Sequence, residues 1–241
     1  METEWISNTE NCNKHKCPKY TGSTALGGEQ LVALRNHSKI DYVVGSLHHV
    51  KGIPIDFSVE LYKQAIEAHD NDINKLFDAY YDEQYQMLVT VKPEIIGHFD
   101  LIRIFSHCID DDTSENGVNS GVSYTLGSQT MQRIVRNIKY GIEIGALFEI
   151  NSRAYKKGHE FAYPHPDILK IILDNGGKVT ISDDSHSPSE IGLFYSKLFQ
   201  YLKDMNISQI HYLDRDESTG VVKTLICDNI LDESLWHHFH S

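Results

Sequence analysis

Nowhere in this 241-residue sequence is there an apolar run long enough to span a bilayer. Residues 1–6 carry neither the basic nor the apolar segment of an export signal, so the expectation is a cytoplasmic protein with no membrane partner. Cysteine is scarce: Cys12, Cys17, Cys108 and Cys227 are too few, in a chain of this length, for a disulfide framework. Positive charge is short as well. With 22 Lys and Arg against 34 Asp and Glu, the net charge of −12 argues against nucleic acid, whose phosphates need clustered cations. There is no Walker loop, no dinucleotide fingerprint and no G-x-S-x-G around Ser46 or Ser182. What the chain does have is a 40% hydrophobic content, enough for a substantial core, and fourteen histidines that ask for an explanation.

Strand-like and helical stretches alternate. Residues 8–19 read as a polar loop, and Cys12 and Cys17, with His15 between them, lack the second ligand pair of a structural zinc site. Short helices are expected over 29–36 and 57–69, and a buried strand over 41–47. A longer helix carries Ile73, Leu76, Phe77, Tyr80 and Tyr81 on one face until Pro93 closes the segment. Strands follow at 94–97 and 146–150, separated by an acidic, Gly/Asn/Ser-rich surface loop over 110–122 and a helix over 128–140. Pro166 opens a helix that Asn175-Gly176-Gly177 stops. Beyond it come a strand over 178–182, a helix over 189–203, and strands over 209–213 and 221–227. Such alternation predicts an α/β fold on a parallel sheet, open or closed into a barrel.

Polar pairs two residues apart stand at the ends of five of these apolar runs: Glu2/Glu4, Ser46/His48, His98/Asp100, Glu149/Asn151 and Asp184/His186. In an extended strand, residues i and i+2 point to the same side, so each pair can aim at one interior. Active sites of α/β barrels are built at the C-terminal ends of several strands. Carboxylates and imidazoles gathered there suit Zn²⁺, Mn²⁺ or Fe²⁺. Taken singly, each pair is compatible with a turn or a solvated strand end, Asp184/His186 least so. Their conjunction in one chain points to a metal centre.

At these residues the sequence resembles the histidinol-phosphatase branch of the polymerase-and-histidinol-phosphatase (PHP) superfamily, the fungal-type proteins especially. The matching stretches are Met-Glu-Thr-Glu-Trp-Ile at 1–6, Val-Val-Gly-Ser-Leu-His-His-Val-Lys-Gly-Ile-Pro-Ile-Asp at 43–56, and Pro-Glu-Ile-Ile-Gly-His-Phe-Asp-Leu at 93–101. Glu-Ile-Asn at 149–151 and Ile-Ser-Asp-Asp-Ser-His at 181–186 complete the set. The resemblance implies one PHP domain over 1–241 with a distorted (β/α)7 TIM-like barrel, and two or three divalent metals (Zn, Mn or Fe). The implied substrate is the small molecule L-histidinol phosphate, hydrolysed to L-histidinol and phosphate in histidine biosynthesis by metal-assisted attack of water. Carried over by position, Glu2 bridges metals, His48 and His98 complete one metal's ligands, Asp184 binds its neighbour and His186 a third. Glu149 and Asn151 lie beside the pocket, and Arg153 and Lys156 face the phosphate.

Two departures accompany the resemblance. The family opens with a strand ending in His-x-His, whereas this sequence begins at the later Met-Glu-Thr-Glu strand. That difference predicts an N-terminally truncated barrel with fewer metals, and it keeps open an inactive remnant as the alternative. A PHP phosphoesterase for another small phosphomonoester is a further alternative. The family also usually places an arginine five residues past the Asn of Glu-x-Asn. Here Lys156 stands in that place, keeping the charge but losing the planar fork. The sequence carries no cue to oligomeric state.

Overall fold

In the computed structural model, which describes residues 2–4, 28–106 and 126–239, strands and helices alternate as expected and divide between two units. The Cys12/Cys17 loop and the acidic segment 110–122 lie outside the described residues, as do the side chains of 2–4.

The first unit takes in Met1–Pro93 and Leu101–Tyr140. It holds β1 (Glu2–Glu4), α1 (Gly28–Arg35), β2 (Val44–Ser46), β3 (His49–Val50), β4 (Ile53–Pro54), α2 (Val59–Glu67) and α3 (Ile73–Val91). Helix α4 (Ser128–Glu143) is counted with it as far as Tyr140. β1 and β2 are parallel, with Glu2 opposite Val44 and Glu4 opposite Ser46. Gly45 is required at the middle of β2: a Cβ there would come within 2.7 Å of both Met87 Sδ and Pro93 Cγ. Ser58 caps α2 by accepting from Leu61 N at 3.3 Å, and Asp72 caps α3 by accepting from Asn74 N at 2.9 Å. α3 ends on Lys92 in the left-handed region, with Pro93 next. The face expected from spacing is the buried one, with Leu76, Phe77, Tyr80, Tyr81, Leu88 and Val91 inside and Ile73 at its margin. On its flank Asp82 receives Arg133 Nε and Arg136 Nη1, both at 3.0 Å, while the Asn137 amide donates to Tyr81 O at 2.7 Å.

His69 in this unit yields a pH prediction. It is 5% exposed, its Nδ1 bonds Ala65 O at 2.6 Å, and Nε2 has no hydrogen-bond partner among the described residues. Burial lowers its pKa below the ordinary value of 6.5, the Lys51 charge adding to the effect against the opposing Ala65 hydrogen bond. A folded-state pKa below the unfolded one means that the unfolded chain takes up the proton first. The neutral imidazole's contribution is therefore present above about pH 6.5 and is lost as the pH falls below it towards the folded value. Urea midpoints are expected to drop between pH 7 and 5, and to drop less in His69→Gln. An equal drop in both proteins rules this group out as the cause.

The second unit takes in Glu94–Asp100 and Gly141–Ser241. β5 (Ile95–Ile96), β6 (Leu147–Asn151) and β7 (Lys178–Ser182) run parallel, with Ile95 opposite Leu147 and Glu149 opposite Thr180. Every residue of β6 is buried, as a strand between two parallel neighbours requires. α5 (Pro166–Asp174) begins on the predicted proline and stops at the Asn-Gly-Gly. These parallel strands with intervening helices make the chain α/β, as the alternation implied.

Two expectations fail here. The helix predicted over 189–203 is broken: Pro188–Glu190 is a 3₁₀ turn, and α6 runs only over Tyr195–Asp204. Tertiary hydrogen bonds hold the break, because Asp183 Oδ2 accepts from Gly192 N and Ser152 Oγ donates to Leu193 O, both at 2.5 Å. The last two strands, β8 (Ile210–Arg215) and β9 (Val222–Cys227), pair antiparallel with each other, not parallel. Only six residues separate them, too few for a parallel crossover.

Candidate active site

In the first unit the site residue is His48. The stretch His-His-Val-Lys-Gly-Ile-Pro-Ile-Asp folds into a hairpin in which β3 and β4 pair His49 with Pro54 and Val50 with Ile53. Lys51 (φ 49°) and Gly52 (φ 75°) form the two-residue turn, whose positive φ values match the twist of a tight hairpin. The hairpin returns the chain so that Ile55 N donates to His48 O at 2.9 Å. It also places His48 Nδ1 against Asp56 Oδ2 at 2.9 Å. With the Nδ1 proton donated to Asp56, the ring's lone pair lies on Nε2, the arrangement that orients a metal-binding imidazole. Asp56 is a functional candidate that reading the sequence for strand-end pairs missed, because its partner lies eight residues away across the turn. Glu2 sits at the start of β1, and its side chain lies outside the described residues.

The other candidates belong to the second unit. His98 follows β5 and is 2% exposed. Its backbone N–H donates to Glu149 Oε2 at 2.6 Å, and the Asn151 amide donates to the same oxygen at 3.0 Å. Glu149 and Asn151 thus share one side of β6, as the two-residue spacing requires, and their polar atoms hold each other and the His98 backbone. Asn151 Oδ1 goes on to accept Arg153 N at 2.8 Å. Asp100, paired with His98 by spacing, accepts the His165 backbone N–H on Oδ2 at 2.9 Å.

After β7 the two aspartates take different tasks. Asp183 turns its carboxylate to the backbone: Oδ1 accepts Ser185 N at 3.1 Å and Oδ2 accepts Gly192 N. Asp184 stands in the left-handed region at φ 50°, with Ser182 Oγ accepting its N–H at 3.0 Å. Its carboxylate accepts no hydrogen bond among the described residues; Arg153 Nε is 4.0 Å from Oδ2 and His186 Nδ1 is 3.7 Å from Oδ1. His186, 62% exposed, donates from Nδ1 to Asp184 O at 2.8 Å, which again leaves Nε2 as the electron-pair donor. A carboxylate without donors beside an imidazole with its Nδ1 occupied is the donor set a borderline divalent cation takes. Burial pushes the Tyr195 hydroxyl up to about 12, with the negative charges of Asp183 and Glu149 adding to the shift. Among the described residues, no group of three or more His, Cys, Asp or Glu is arranged to hold a metal ion.

The two cations expected at a phosphate are both engaged by one acidic residue. Lys156 Nζ and Arg153 Nη1 donate to Glu190, the arginine at 2.9 Å, and the His186 backbone N–H joins them at 3.0 Å. These donors, Lys156 first, hold the Glu190 carboxyl down at about 2. Glu190 was not legible as part of this cluster, since its only local cue is its place four residues beyond His186.

Against known proteins, the chain and its α/β fold find clear counterparts. The chain is 38% identical over 204 residues to a Schizosaccharomyces pombe protein named "Probable histidinol-phosphatase", an alignment covering 84% of this chain and 63% of that one. It is 27% identical over 218 residues to the Saccharomyces cerevisiae histidinol-phosphatase, covering 83% and 64%. A crystal structure of the "putative histidinol phosphatase hisK" from Listeria monocytogenes matches in fold with a TM-score of 0.59 at 21% identity, over 70% of this chain and 63% of that one. No protein-family model matches. The chain is a homologue of fungal proteins named histidinol-phosphatase, in agreement with the resemblance read from the sequence, and it spans just under two thirds of their length.

Proposed function

We propose that this chain is a metal-dependent phosphomonoesterase that hydrolyses L-histidinol phosphate to L-histidinol and phosphate. Its scaffold in this reading is a single PHP-type domain with a distorted (β/α)7 barrel. The observation that carries the reading is the Asp184–His186 turn. There a carboxylate with no hydrogen bond among the described residues and an imidazole with Nδ1 occupied stand together at the end of a parallel strand, in a chain homologous to proteins named histidinol-phosphatase.

In this reading Glu2, His48, His98, Asp184 and His186 hold divalent zinc, manganese or iron, two or three ions in all. Bound there, such ions supply Lewis-acid stabilisation of phosphoryl oxygens and acidify a water. Asp56 fixes the His48 ring, and Glu149 with Asn151 fixes the backbone that carries His98. Lys156, whose side chain is 44% exposed, offers its amine to the phosphate, and Arg153 adds a second positive charge beside it. The substrate is a small anion; the net charge of −12 disfavours nucleic acid. The setting proposed is cytoplasmic; no helix among the described residues is long and apolar enough to cross a membrane.

The test is phosphate release from L-histidinol phosphate by the purified chain resupplied with Mn²⁺ or Zn²⁺, compared with a generic aryl phosphate. Metal-dependent release that favours L-histidinol phosphate is expected. A folded chain that releases no phosphate from it with either metal overturns the reading, and faster turnover of another monoester overturns the substrate.

A further inference from the structure

We infer that Glu190 is a positioning residue: together with Arg153 it latches the turn that presents Asp184 and His186. The inference rests on the ligand roles just proposed for those two residues.

The latch is a closed ring of hydrogen bonds. Glu190 Oε2 accepts Arg153 Nη1 at 2.9 Å. The same Arg153 nitrogen donates to Asp184 O at 2.8 Å. That carbonyl also accepts His186 Nδ1 at 2.8 Å, and the His186 backbone N–H returns to Glu190 Oε2 at 3.0 Å. Every member therefore constrains the next, and the ring closes on both candidate ligands at once. It spans two strand ends, since Arg153 follows β6 and Asp184 follows β7.

Two features separate this arrangement from an ordinary surface ion pair, which contributes little because water screens it and both side chains are free to move. The Arg153 and Glu190 side chains are only 16% and 18% exposed, and three of the four bonds involve backbone groups of the turn itself. The turn also needs holding. Asp184 occupies the left-handed region at φ 50°, which a residue with a Cβ adopts at a cost unless its surroundings fix it. Ser182 Oγ secures the amide of Asp184, while Arg153 secures its carbonyl. The carboxylate is thereby turned away from the backbone and left to a cation. Arg153 in this arrangement acts chiefly through Asp184, and Lys156 is the better exposed of the two cations.

Glu190→Ala removes the two bonds that end on Glu190 Oε2 and so opens the ring. Glu190→Gln keeps one oxygen, which can stand where Oε2 does and accept both Arg153 and His186 N–H, while its amide faces Lys156. Two measurements on the full chain test the inference. In the metal-free protein, amide exchange of residues 183–187 is expected to quicken in Glu190→Ala, with little change elsewhere and little in Glu190→Gln. In Mn²⁺ titrations, Glu190→Ala is expected to lose affinity by about tenfold or more, the usual effect of removing a group that orients a ligand, while Glu190→Gln stays within about threefold. Unchanged exchange over 183–187 in Glu190→Ala overturns the latch, and so does faster exchange with undiminished Mn²⁺ affinity. A wild-type chain that binds Mn²⁺ through Asp184 but leaves L-histidinol phosphate intact refutes the proposed substrate and leaves this inference standing.

Discussion

Asp184→Ala is expected to abolish metal-dependent phosphate release, by about 10³-fold or more, since removing a single preorganised electrostatic contact already costs about 10²–10³-fold. The side chain is only 17% exposed and accepts no hydrogen bond among the described residues, so its loss leaves no internal donor stranded. The damage should therefore fall on metal binding, with the thermal midpoint of the metal-free chain nearly unchanged. Asp183 supplies the contrast. Its two oxygens serve Ser185 and Gly192 backbone N–H groups, so Asp183→Asn should disturb the local fold while lowering activity far less. Metal retained after dialysis and phosphate release together decide the matter. If Asp184→Ala keeps both within about tenfold of the wild type, the carboxylate is not a ligand.

The second large effect is on stability. Phe148→Ala is expected to destabilise the fold by about 3–5 kcal/mol, a large part of the roughly 5–15 kcal/mol that holds an ordinary domain together. Phe148 lies in β6 with no exposed surface, tilted against Phe99 with ring centroids 5.9 Å apart. The backbone of α4 comes in close on it: a Cβ at Gly141 would fall 2.9 Å from Phe148 Cζ and 2.7 Å from Ile96 Cδ1. A cavity at this point has stiff walls, a parallel strand on each side and a helix above, and such walls relax only partly. Urea denaturation measures the loss, and a change of less than about 1 kcal/mol would show that the site collapses around the missing ring. Phe148 is also the residue before Glu149, so partial unfolding here should loosen the carboxylate that holds the His98 backbone.

Much of this protein was legible in one dimension. Apolar spacing located the buried face of α3, proline and the Asn-Gly-Gly bounded α5, and β7 fell on the residues predicted for it. Those features follow from local chemistry, that is, side-chain periodicity, missing N–H groups and backbone freedom. The two-residue spacing of polar groups at strand ends likewise foretold that Glu149 and Asn151 share a side, because the pleat leaves no other choice. The motif residues also carried the kinship that the fungal relatives bear out.

What local chemistry does not contain is the choice among groups of the same type. Asp183 and Asp184 are adjacent and identical, and only the backbone turn, with Gly192 and Ser185 offering N–H groups to one of them, makes the first a structural acceptor and the second available to a cation. Asp56 gained its role from a hairpin that folds it back eight residues onto His48. Glu190 gained its role from Arg153, 37 residues earlier, and where a helix was expected through it the chain makes tertiary hydrogen bonds instead. The sequence by itself determined which kinds of group stand at the strand ends, since composition and period are local. Which of them point at one another was decided only by the tertiary structure, since hydrogen bonds between distant segments depend on where the folded chain brings them.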